Sequence, residues 1–139
     1  MLTTAQTDLI QNSFATAISS RDDLVTDFYH ALFAKAPSVR GMFADDISGQ
    51  SEMLTATLQL AVAEIRNLEA LIEPLRELGA KHAEYGAEPA HYAAVSEVLV
   101  ESLQGAVGPT WTPEHTQAWT AALTVIAQTM LDGAAAADQ

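Results

Sequence analysis

Residues 71–92 read LIEPLRELGAKHAEYGAEPAHY. Leu71, Leu75 and Leu78 are spaced by four and then three, the step of one face of an α-helix, and His82 falls four positions further along the same stripe. Pro74 interrupts a pattern that otherwise runs from Leu68 to Tyr85, which predicts a break or restart there. An imidazole on an apolar stripe has two outcomes. Buried without a partner it costs about 1–3 kcal/mol, so His82 either finds a hydrogen bond inside the core or binds something. Spacing alone leaves both open.

The same period recurs on either side. Toward the N-terminus, Ile10, Phe14 and Ile18 repeat every four residues on a first helix from about Thr4. Leu24, Val25, Phe28, Tyr29, Leu32 and Phe33 then form a wide apolar face on a helix predicted from about Arg21 to near Pro37, because the residue before a proline is pushed away from α geometry. Residues 37–49 read as irregular turns around Phe43, and a longer helix is predicted from about Ser48 to Arg66 through Leu54, Leu58, Ala61, Val62 and Ile65. Toward the C-terminus, Pro89 suits the first position of a helix reaching about Val107. Thr112-Pro113-Glu114 combines a cap, a first-position proline and an acid in the first turn, launching a last helix that Gly133 is expected to end, with the closing Ala-Ala-Ala-Ala-Asp-Gln frayed. Six or seven helices in one domain over residues 1–139 are expected, with no repeat or linker.

Composition agrees with helices. The chain has 139 residues, 49% hydrophobic but only 6% aromatic, so its interior is built from Ala, Leu, Val and Ile. Six basic residues against 18 acidic ones leave a formal charge of -12, a field that repels phosphate backbones and anionic bilayers. Neither nucleic acid nor a membrane is an expected partner. No basic segment leads into an apolar one at the start, and no apolar run approaches the roughly 18–20 residues of a bilayer span, so a cytoplasmic protein is expected. The absence of cysteine removes disulfides, thiolate metal sites and a thiol nucleophile.

Three further residues raise the question posed by His82. Tyr29 shares a face with Val25, Leu32 and Phe33, where a buried hydroxyl needs a partner, and is otherwise a structural tyrosine. Gln50, one turn before Leu54, points the same way, yet an exposed glutamine at a helix start explains it equally. Phe43 anchors its loop on either reading. Other constellations fail: there is no His-Glu-x-x-His, no glycine-rich phosphate loop and no supported Ser-His-Asp set. His82 and His91 are separated by Gly86 and Pro89, His30 points about 100° away from Tyr29, and His115 is expected to be solvated.

Taken in order, FYHALF with Pro37 following, VRGMF, DISGQSEMLTATL, LGAKHAEYG with EPAHY, and WTPE with AW resemble the globin family, and more closely the single-domain bacterial haemoglobins related to flavohaemoglobins. The resemblance runs from about Leu9 to Leu131. It implies an all-α globin fold of six to eight helices around a haem pocket, with haem b as cofactor and O2, CO and NO as ligands. It implies His82 as the proximal iron ligand, Tyr29 and Gln50 as distal donors with Leu54 one turn later, and Phe43 as the ring wedging the haem. Tyr92 matches a tyrosine packed near the proximal histidine, and Leu78 and Lys81 complete the expected haem contacts. Arg40, Arg76 and Lys81 are candidates for the propionates, though each also reads as solvated charge.

Two departures qualify this. Flavohaemoglobins carry an FAD- and NADH-binding reductase after the globin, which would fall beyond Gln139, so NO dioxygenase activity is expected to need a separate reductase. They also place a glutamate on the last helix to polarise the proximal histidine, where Ala134 stands here. Reversible binding of O2 with high affinity is the leading expectation. NO detoxification and gas sensing are the alternatives, and a haem-free or purely acidic interaction module is a more distant one.

Overall fold

Ile10, Phe14 and Ala17 form the buried stripe of the first helix in the computed structural model, which describes residues 2–20, 23–43 and 45–137. Ile18, the third member of the expected stripe, is 38% exposed instead. At about 100° per residue, seven positions return almost to the starting face, whereas eight overshoot it by about 80°, so Ala17 and not Ile18 follows Ile10 into the core.

Six α-helices make up most of the described chain: α1 (Thr4–Ser20), α2 (Leu24–Lys35), α3 (Ser48–Ala63), α4 (Ile72–Glu84), α5 (Pro89–Val107) and α6 (Pro113–Ala137), with 3₁₀ helices at Pro37–Met42 and Ile65–Leu71. There is no strand among the described residues. The expected start of α2 at Arg21 lies outside the described residues. Its end follows the proline rule: Ala36 leaves helical geometry at φ -132°, ψ 75° while its N–H still donates to the Leu32 carbonyl. The segment expected to be irregular is a 3₁₀ helix through Met42, opened by Pro37 and pinned by buried Val39.

α3 stops three residues short of the expected Arg66, and the break foreseen at Pro74 comes earlier. Asn67, at φ -137° and ψ 59°, interrupts the backbone, and α4 restarts at Ile72. Pro74 then lies in the first turn of α4, where the N–H it lacks would have had no helical acceptor.

Gly133 does not end α6, which continues to Ala137. A Cβ on Gly133 would stand 2.6 Å from the carbonyl carbon of Arg76, and one on Gly79 would stand 2.6 Å from Met130 Cα. Both glycines serve the crossing of α4 and α6, not a helix end.

The main core lies among α1, α2, α3, α5 and α6, around Ile10, Phe28, Leu32, Val98, Leu103 and Trp119. Each such side chain contributes about 1.5–3 kcal/mol by leaving water. The indole of Trp119 donates to Ser13 Oγ at 2.9 Å, and Ser13 passes its own proton to the Ile10 carbonyl, so the polar atoms inside are paired. A second, smaller cluster of Ala61, Leu71, Leu75 and Met130 holds α4 to α6, with Leu78, Tyr92 and Ile126 around it. α3 packs on α1, α2 and the second 3₁₀ helix, while α4 packs on α6 and that same 3₁₀ helix. The two helices therefore diverge from a shared corner at residues 65–71 toward different supports.

Candidate functional site

His82 occupies the last turn of α4, half-buried on one wall of this divergence. Its Nδ1 lies 2.9 Å from the carbonyl oxygen of Leu78, one turn back. A carbonyl can only accept, so Nδ1 carries a proton, and in the neutral ring the lone pair is on Nε2. The rings of Tyr85 and Tyr92 flank the imidazole at 6.4 and 6.3 Å. Tyr92 Oη is buried with no hydrogen-bond partner, and burial raises its phenol pKa. Tyr85, 65% exposed, was not singled out from the sequence, where its place beside a helix-ending glycine marks only a terminus.

A second group of candidate residues is aromatic. Tyr29, 4% exposed, sits among Phe28, Phe33 and Phe43 at centroid distances of 5.2, 5.9 and 5.6 Å. Burial pushes its phenol up to about 12, so the hydroxyl stays protonated and can donate. Leu54 packs against the same cluster from α3. Gln50, in the first turn of α3, is exposed.

Tyr29, Phe43 and Leu54 are thus gathered on the main core, and Leu78, His82 and Tyr92 on the α4 side. Lys81 is exposed beside His82. Arg40 is engaged elsewhere than its candidate role suggested: its guanidinium lies 5.0 Å from the Phe33 ring centroid and donates to the carbonyls of Phe43 at 3.4 Å and Asp45 at 3.0 Å. It ties the corner that carries Phe43. Nothing in its sequence context signals this, since the carbonyls it reaches are created by the turn itself.

Among the described residues no group of three or more His, Asp or Glu gathers to hold a bare ion, so His82 is a lone nitrogen donor. One imidazole with Nδ1 satisfied, Nε2 open and apolar walls around it fits a metal that brings its other ligands with it, as a porphyrin iron does. Open clefts of about 650 Å³ between α1, α2 and α3 and about 580 Å³ beside Ile72 and Val125 are lined by neither Tyr29 nor His82.

Comparison with known proteins addresses family and fold. The chain is 27% identical over 135 residues to the flavohemoprotein of Vibrio cholerae, covering 95% of this chain but 34% of that protein, so it spans about a third of the relative's length. In fold it is similar to a bacterial globin from Campylobacter jejuni, with TM-score 0.83, 23% identity and coverage of 96% and 97% of the two chains. An engineered carbene transferase from Rhodothermus marinus gives TM-score 0.85 at 24% identity, with 98% and 95% covered. The globin family model matches residues 26–130, from the wall that carries Tyr29, through His82, to the Met130 contact of α6, and by that match the chain belongs to the globin family.

Proposed function

We propose that the protein binds haem b through His82 and uses it to bind O2 reversibly. The observation that carries this reading is the His82 Nδ1 to Leu78 carbonyl hydrogen bond, which fixes the tautomer and leaves Nε2 as an oriented ligand. Bound there, haem would supply an iron able to take O2, CO or NO. Phe43, Leu54, Leu78 and Tyr92 would supply apolar contact to the macrocycle, and Lys81, exposed beside His82, is the proposed propionate partner. Tyr29 Oη, held protonated by burial, donates to a polar diatomic ligand, and Gln50 adds a second donor by turning inward from the start of α3.

The proximal side supports binding over electron push. Its acceptor for the His82 proton is a neutral carbonyl, and Tyr92 Oη has no partner, so no carboxylate reaches the imidazole through it. The likeness to flavohemoproteins over nearly the whole chain supports a second reading, in which NO and O2 combine to nitrate and a separate reductase returns one electron to the iron. A reductase meeting a chain of charge -12 would present a basic face.

Absorption spectra of the purified protein, oxidised, dithionite-reduced and CO-treated, test the main reading. A pigment whose reduced form binds CO, and which His82→Ala abolishes or makes easily lost, is expected. A His82→Ala protein with the same spectra and the same retention of haem overturns the assignment. For the second reading, the oxy form mixed with NO must yield ferric protein and nitrate rapidly, and a slow reaction counts against it.

A further inference from the structure

Gly79 and Gly133 are both buried and both lie inside helices, where glycine costs about 1 kcal/mol relative to alanine. Each faces backbone, not a side chain: the Cβ absent from Gly79 would overlap the Met130 carbonyl, and that absent from Gly133 would overlap the Arg76 carbonyl. Three residues forward along α4 pair with three residues back along α6. The two helices thus cross antiparallel, with a reciprocal glycine-to-backbone contact one turn apart. His82 lies three residues beyond Gly79, about 4.5 Å along the helix axis.

We propose that this reciprocal contact sets the depth at which α4 lies and so positions the Nε2 of His82. The inference rests on His82 being the iron ligand. The crossing on α6 is by far the most extensive contact of α4, with the preceding 3₁₀ helix, Ala61 of α3 and Tyr92 of α5 adding smaller ones, so it dominates how far the histidine wall stands from α6. Adding a methyl group at either glycine forces the backbones apart by about 1 Å, because carbonyl atoms packed against a helix cannot rotate away as a side chain would. A metal–nitrogen bond tolerates only about 0.2 Å. Gly79 and Gly133 act through His82 and are positioning residues.

The test uses Gly79→Ala and Gly133→Ala in the haem-loaded full chain, with Gly105→Ala in α5 as control, since a Cβ there meets nothing within 4 Å. The readouts are the iron–histidine stretching band of the ferrous protein by resonance Raman and the rate of haem transfer to excess apomyoglobin. Both clasp variants should shift or broaden the band and speed haem loss by about tenfold or more, while Gly105→Ala leaves both unchanged. Gly133→Ala carries the test if Gly79→Ala does not fold.

A second measurement separates positioning from general loosening. In a His82→Gly background supplied with free imidazole, the ligand is no longer tethered to α4, so Gly133→Ala should leave the iron–imidazole band where it is. Clasp variants with a wild-type band and wild-type haem loss overturn the proposal, as does a Gly133→Ala shift that persists with free imidazole. A His82→Ala protein that keeps the histidine band defeats the ligand assignment instead, whatever the glycines do.

Discussion

Tyr29 and Tyr92 are both partly or wholly buried phenols, yet opposite consequences follow from mutating them. Tyr29 Oη is read as a donor to bound O2, so Tyr29→Phe should speed O2 dissociation by roughly 10- to 100-fold, the worth of a charge-assisted hydrogen bond of about 1.5–3 kcal/mol, with CO dissociation changed much less. Stopped-flow displacement of O2 checks this, and an unchanged rate removes Tyr29 from the distal role. Because burial holds its phenol up to about 12, the wild-type rate should also be flat from neutral pH to about pH 9, within which the donor keeps its proton. Tyr92 Oη carries the cost of desolvation with no hydrogen bond in return. Tyr92→Phe should therefore be neutral or stabilise the fold by about 1 kcal/mol in chemical denaturation, and a loss of more than about 1 kcal/mol would reveal a partner for that hydroxyl. The sequence made Tyr29 legible as a polar member of an apolar stripe, whereas Tyr92 entered only through the family resemblance, which joined the two into one expected site. The contacts of Arg40 were not legible, because its partners, the carbonyls of Phe43 and Asp45, belong to a corner whose shape no local pattern encodes.

At the level of elements, α5 and α6 begin with the same device. Glu88-Pro-Ala-His91 and Thr112-Pro-Glu-His115 each turn a histidine back so that the backbone N–H of Glu88 or Thr112 donates to its Nδ1, at 2.9 and 3.0 Å. His115, expected to be merely solvated, is half-buried and stacked on Trp111 at 5.0 Å. The caps satisfy N–H groups that would otherwise compete for water, so His91→Ala and His115→Ala should each lower stability by about 0.5–2 kcal/mol, with additive effects because the two caps are on different helices. Thermal or urea unfolding of the single and double variants measures this, and wild-type midpoints would mean the caps contribute nothing. Most helix positions were legible from period and proline. The exceptions share a physical origin: Asn67 breaks the chain where Pro74 was expected to, because a proline in a first turn is harmless, and Gly133 continues α6 because a partner backbone requires its missing side chain. Glycine's absence of a Cβ serves either a helix end or a close crossing, and sequence alone cannot distinguish the two.

The molecule as a whole is supported unevenly. Five helices, α1, α2, α3, α5 and α6, share one interior, while α4 leans on α6 through a cluster of four buried residues, two of them from outside α4 and α6. On the reading that haem fills the space beside His82, removing it should loosen α4 and residues 65–71 first: their amides should exchange with deuterium at least about tenfold faster in the haem-free protein, while α1, α5 and the first half of α6 stay protected. Uniform acceleration along the chain would contradict this division. The two tryptophans fall on either side of it in a different sense. Trp119 is sealed in the interior with its indole bonded to Ser13, while Trp111 stands half-open beside the imidazole that closes the entrance of α6. The protein thus carries two fluorophores in unlike surroundings, one reporting on the heart of the fold and one on the turn that leads into α6, so emission colour and quencher access can follow the two regions separately without any dye being attached.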